Sequence, residues 1–174
     1  MSIKPVITVP DEILRKKSAS IENVDDNVKK LAKDLLDTMY KSNGIGLAAV
    51  QIGILKRILV IDVSTKDEKK NPLCFINPKI KNFSDEKSVY EEGCLSIPDT
   101  FIEIERPKIC EVEYIDINGK LKNIECGGLL STCLQHEINH LDGKLIIDNL
   151  TKLKRDIIIK KISKNKKNPN RVIV

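Results

Sequence analysis

Tryptophan is absent from this chain, and three Tyr and three Phe are its only other large aromatic residues. Stacking platforms for single-stranded nucleic acid are built from such rings, so a surface of that kind is not expected. Histidine is nearly as scarce, with two in the chain. No apolar run approaches the roughly 20 residues of a membrane span; runs such as Ile157-Ile158-Ile159 are far shorter. Met1-Ser2-Ile3-Lys4-Pro5 lacks the apolar core and small-residue cleavage site of a secretion signal. The cysteines number five, an odd count that argues against a disulfide framework. A reducing, cytoplasmic setting is therefore expected, with some cysteines small buried residues and at least one free to act as ligand or nucleophile. Phosphate-binding glycine loops are missing too. Gly44-Ile45-Gly46-Leu47-Ala48-Ala49-Val50-Gln51 fits neither GxxxxGK[ST] nor GxGxxG.

What remains is a globular composition. The chain has 174 residues, 41% hydrophobic and 32% charged, enough for one domain with its own core. We expect that domain over residues 1–164, followed by a frayed basic tail over 165–174. The net charge of +5 is unevenly placed. Residues 151–174 carry nine Lys and Arg against the single acid Asp156, whereas residues 1–150 carry 21 basic and 24 acidic residues. A basic end of this kind suits a polyanionic partner, nucleic acid being the commonest; the plainer reading is a solubilising helix.

Val28, Leu31, Ala32, Leu35, Leu36 and Met39 recur at helical spacing, opening at Asp25-Asp26 and stopping at Ser42-Asn43-Gly44. Strands are expected over 57–63, 72–80, 87–91, 101–105 and 109–117, with a polar loop over 66–71. Asn118-Gly119 marks a hairpin returning over 120–125. A second helix, about 128–141, carries two adjoining stripes: Leu130, Leu134, Ile138 and Leu141, and Leu129, Cys133, His136 and His140. A helix apolar on more than one face belongs at the centre of the molecule. Thr151 is placed to cap a third helix, about 152–164, with Leu153 and Ile157 continuing the stripe from Leu150.

The sharpest local pattern is His136-Glu137-Ile138-Asn139-His140. Residues four apart share a helix face, so both imidazoles reach one metal ion, and Glu137 stands beside the first to handle a proton. The plainer reading is a chance pair of core histidines beside a surface Glu. A catalytic site of this type uses three protein ligands and leaves one position open. The third is not His, because the chain has no other. Ile146 stands where the extended HExxHxxGxxH motif needs its last His, and no Glu follows His140. An upstream carboxylate or a cysteine remains. Cys94, in Glu91-Glu92-Gly93-Cys94-Leu95-Ser96, is favoured because ligands usually come from more than one element; Cys133, three residues before His136, is its rival.

Taken together, Gly44–Gln51, Glu92–Ser96 and Gln135–His140 resemble the three ordered blocks GxGLAAxQ, EGCLS and QHExDH of the peptide deformylases. The likeness extends to Pro10-Asp11…Leu14-Arg15, to the Asn118-Gly119 hairpin and to Leu153-Lys154-Arg155. It departs at Asn139, where Asp is usual, and at Phe101, near which some members carry Arg. The resemblance implies an α+β fold, with antiparallel β-sheets packed around the central HExxH helix and further helices at the N- and C-terminal ends. It implies a metal bound by Cys94, His136 and His140, Fe(2+) by preference, with Zn(2+) or Ni(2+) as substitutes. Glu137 is then the general acid/base, with metal-bound hydroxide as nucleophile, and the Gln51 amide and Leu95 N–H face the oxyanion. Ile45, Gly46, Leu129 and Cys133 contact the substrate. The implied reaction removes the formyl group from the formyl-methionine of nascent polypeptides and releases formate. The basic residues 151–174 then suggest docking on the ribosome. No membrane or DNA partner is expected. Two other readings are a peptidase with a Cys ligand, which would cleave internal peptide bonds, and an RNA-binding protein with a structural metal, in which Glu137 would be dispensable.

Overall fold

The computed structural model describes residues 3–65 and 67–167. Met1, Ser2, Lys66 of the expected polar loop and residues 168–174 of the expected tail lie outside the described residues. Helix α1 (Asp26–Lys41) begins where the sequence directs: Asp25 accepts the Val28 N–H at 2.9 Å, and Asp26 adds negative charge to the first turn. Its spaced apolar residues Val28, Leu31, Leu35 and Met39 are buried.

Strands β1 (Gly46–Ala48), β2 (Ile58–Ile61), β3 (Leu73–Phe83), β6 (Ile109–Ile115) and β7 (Leu121–Gly127) form an antiparallel sheet in the order β1-β2-β3-β6-β7. Every residue of β2 is buried. The two-residue alternation of a strand sends Ile58 and Val60 into the core with α1, and Leu59 and Ile61 into the core with α2 (Gly128–Leu141). The sheet is therefore the wall between two helices. Between β6 and β7, Asp116 Oδ1 accepts the N–H groups of Asn118 and Lys120, and Gly119 supplies the positive φ of the turn.

Strands β4 (Lys87–Cys94) and β5 (Ile97–Pro107) form a separate two-stranded sheet, turning tightly at Leu95-Ser96. Ile97, Ile102 and Ile104 of β5 close a third core with Val9, Leu14, Ile146, Ile147 and Ile162 of α3 (Lys152–Lys167). Helix α2 touches both sheets, and all of its residues from Ser131 to Leu141 except Asn139 are buried. The architecture is the expected one, antiparallel sheets around the central helix.

Four details differ from the sequence reading. β1 and the 3-10 turn Ala49–Ile52 occupy a segment for which no strand is expected from the sequence. β4 runs to Cys94 and β5 starts at Ile97, because the sheet absorbs Pro98 and Asp99, the latter at φ +54°, residues that locally signal a break. α3 docks through Ile158, Ile159 and Ile162, whereas Leu153 and Ile157 are 71% and 57% exposed. Three isoleucines in a row leave the docking face open by periodicity, and contact with β5 decides it. α3 also continues through Lys167.

The end of α2 is pinned. Arg57 pairs with Asp142 at 2.6 Å, and Gly143 follows at φ +72°. A Cβ on Gly143 would stand 2.3 Å from the Arg15 carbonyl oxygen. Gly143→Ala therefore meets both backbone strain and a rigid clash. We expect a stability loss of about 2–3 kcal/mol, read as a melting temperature lower by roughly 5–10 °C.

Candidate metal centre and cleft

Two elements bring the ligands together. The α-helical period of α2 sets His136 and His140 on one face, and the end of β4 carries Cys94 to them. Cys94 Sγ lies 3.2 Å from His140 Nε2, and the donor atoms of Cys94, His136 and His140 all fall within 4.8 Å of one another. Among the described residues no other group of three His, Cys, Asp or Glu has this geometry. Cys133, the rival, is not part of the group; its sulfur lies 3.9 Å from the Ile45 carbonyl, and burial holds its thiol well above the usual range. All five cysteines are free thiols, so no disulfide competes.

The donor set suits a borderline divalent cation: two imidazole nitrogens and one sulfur. Glu137 Oε2 is buried with no hydrogen-bond partner within the protein, an arrangement costly in a site built only for packing. Burial, together with the charges of His136 and Arg106, drives His140 well below its ordinary pKa and keeps it neutral, as a ligand must be. Burial also opposes charge on His136, but contacts with the Cys94 sulfur and Glu92 outweigh it and raise His136 to about 10.

Around the ligands stands a layer of fixed polar groups. Glu92 Oε2 lies 2.8 Å from His136 Nδ1, so that nitrogen donates and the other is left for a metal. Desolvation raises Glu92, yet hydrogen bonds from His136 and Arg106 more than offset it and hold the carboxylate ionised. Arg106 Nη2 donates to Glu92 at 3.0 Å, and Arg106 Nη1 donates to Asn139 at 2.9 Å. Gln51 is oriented from its oxygen: Oε1 accepts the Ala48 N–H at 2.8 Å, which turns Nε2 toward Ser96 Oγ at 3.2 Å and Cys94 Sγ at 3.8 Å. Burial is also the first cause acting on Glu137, and with the nearby Glu92 charge it pushes that carboxyl up to about 7. A general acid and base acting near neutral pH needs such a value.

The centre opens into a cleft of about 440 Å³. Gly44, Ile45 and Gly46 form one wall, Gly93, Pro98 and Phe101 another, and Leu129, Cys133, His136 and Glu137 also line it. Gln51 and Leu95 border the same space. β1 is an edge strand paired only with β2, so its free side is open to an extended chain. A Cβ on Gly46 would stand 2.5 Å from Glu137 Oε1 and 2.7 Å from Cys133 Sγ, which is why this wall is glycine. Every site residue named from the sequence thus lies at the centre or on the cleft. The sequence reading missed Arg106, Ser96 and the role of Glu92 behind His136. Glu92 and Ser96 left a local trace, as the two ends of the Glu92–Ser96 block, and Arg106 left none.

Residues 3–156 match the family model described as "Polypeptide deformylase". The chain is 56% identical over 174 residues to the peptide deformylase of Pelagibacter ubique, covering 100% of both chains. It is 56% identical over 164 residues to that of Rhizobium meliloti, covering 94% of each. Among solved structures it resembles the peptide deformylase from Ehrlichia chaffeensis, with a TM-score of 0.92 and 43% identity over 97% of this chain and 99% of that one.

Proposed function

Because the chain belongs to the polypeptide deformylase family and removes N-formyl groups from nascent peptides, we propose that its cleft takes a formyl-methionyl N-terminus and that Glu137 handles the proton. The single observation carrying this reading is the convergence of Cys94, His136 and His140 within 4.8 Å at a cleft that Glu137 also lines, its buried Oε2 without a hydrogen-bond partner. Cys94, His136 and His140 would hold a divalent cation, Fe(2+) natively and Zn(2+) or Ni(2+) as substitutes. That cation supplies Lewis acidity, making water acidic enough to attack near neutral pH and polarising the formyl carbonyl.

The chain's own groups do the rest. Glu137 accepts the proton of the attacking water and later delivers it to the departing amine nitrogen, leaving formate and a free α-amino group. Gln51 Nε2–H and the Leu95 backbone N–H donate to the negative charge that develops on the formyl oxygen. Ile45, Leu129 and Cys133 receive the methionine side chain, and the Gly44–Gly46 edge pairs with the peptide backbone. Backbone pairing gives affinity with little demand on sequence, which suits an enzyme of many nascent chains. Formyl-Met-Ala-Ser is expected to release formate, and the unformylated peptide to remain whole. Cleavage of the latter at an internal bond would instead favour a peptidase.

Gln51→Ala is expected to lower kcat by about 10²–10³, with a smaller change in KM, because its hydrogen bond forms mainly in the transition state. Steady-state kinetics on the same peptide check this.

The domain reading is a single catalytic unit over 1–164 and a basic tail over 165–174. We place the protein in the cytoplasm, where nascent chains emerge; no helix among the described residues is long and apolar enough to cross a membrane. The basic C-terminal segment supports ribosome docking. α3 buries Ile162 and leaves Lys160, Lys161 and Lys164 exposed on its far side. Reversing these three charges is expected to weaken co-sedimentation with ribosomes and to flatten its salt dependence, with deformylation of a short peptide unchanged. Unaltered co-sedimentation would exclude docking by this face.

A further inference from the structure

The ligands sit on two bodies that share no backbone ladder. Cys94 belongs to the β4–β5 hairpin, whose strands pair only with each other, and both histidines belong to α2. A two-stranded hairpin has little stability of its own, so side chains must fix its distance from the helix. One side chain spans all three elements. Arg106 leaves β5, donates to Glu92 on β4 through Nε and Nη2, and donates to Asn139 on α2 through Nη1. Its side chain is 11% exposed and that of Glu92 is 5% exposed, so water competes poorly for these bonds. Glu92 in turn holds His136 Nδ1. Arg106 does not line the cleft, and its fork joins the Cys94 hairpin to the histidine helix alongside the direct Gln135–Pro107 bond from α2 to β5.

We propose that Arg106 is the positioning residue of the metal centre, clamping the Cys94 hairpin to the histidine helix through Glu92 and Asn139. The inference rests on Cys94, His136 and His140 binding metal and adds what holds them in register. Lys in place of Arg106 keeps the charge but loses the planar fork that bonds two partners at once. Asn139 is neutral, so Glu92 is the guanidinium's one anionic partner in this network. Asn139→Leu cuts the arm to the helix and leaves the Arg106–Glu92 ion pair in place.

The test uses the Co(2+)-loaded full chain. Its thiolate-to-metal absorption reports the sulfur contact, and a colour-forming chelator reads the rate of metal loss. A thiolate band in the unaltered protein confirms the ligand set; its absence would overturn that reading, and with it the premise of the clamp. Given the band, Arg106→Lys and Asn139→Leu are each expected to release metal about 10–100 times faster and to shift or weaken the band. Arg57→Met serves as the comparison, because it breaks a similarly short, half-shielded ion pair at the end of α2 that does not reach the hairpin. It is expected to lower the melting temperature with the band and the release rate unchanged. The clamp is overturned if Asn139→Leu and Arg106→Lys keep the parent's release rate and band, or if Arg57→Met changes both as much as they do. Should Arg106→Lys fail to fold, Asn139→Leu alone decides.

Discussion

Glu137→Ala is expected to cut kcat for formate release by roughly 10³–10⁴-fold while the metal stays bound. The carboxyl is not among the three ligands, so its removal leaves Cys94, His136 and His140 in place. It is buried, has an unpartnered oxygen and is raised to about 7, which poises it both to take a proton and to give it back. Loss of the group therefore removes both transfers. Glu137→Gln separates chemistry from packing, since the amide fills the same space against Gly46 and cannot accept the proton. Both variants are expected to be similarly inactive, with metal content measured by atomic emission equal to that of the unaltered protein. A loss below tenfold in both would mean that another group moves the proton.

The second large effect is expected at Cys94. Cys94→Ala takes the only sulfur from the ligand set and leaves two histidines on one helix face. Metal should be lost on gel filtration and deformylation should fall to background. Stability supplies an independent reading. A metal that binds only the folded chain stabilises it by linkage, so a chelator should lower the melting temperature of the unaltered protein and leave that of Cys94→Ala unmoved. A Cys94→Ala protein that keeps its full metal content would contradict the assignment and return attention to Cys133.

These effects trace back to features of unequal legibility. The histidine pair is readable because a helix turns a spacing of four into a shared face. The central place of α2 is readable because apolar residues recur on two of its adjoining faces. Cys94 was preferred over Cys133 only by its setting, and the fold supplies the reason: the end of β4 faces His140, whereas Cys133 faces the Ile45 wall. Arg106 was invisible. Its partners lie 14 and 33 residues away, and no local periodicity encodes a bond between strand and helix at such separations. Three-residue β1 is similarly silent, since pairing with β2, rather than its own composition, makes it a strand. α3 shows the converse case, in which the helix was legible and its buried face was decided by the surface it meets.

The central claim is that one sulfur and two imidazole nitrogens meet on a single cation with room left for water and substrate. X-ray absorption at the metal edge of the zinc-loaded protein measures that shell directly. One sulfur near 2.3 Å and two nitrogens near 2.0–2.1 Å are expected, with any remaining light scatterer exchangeable by a small anion or inhibitor. A shell without sulfur, or one closed by a fourth protein side chain, would contradict the claim.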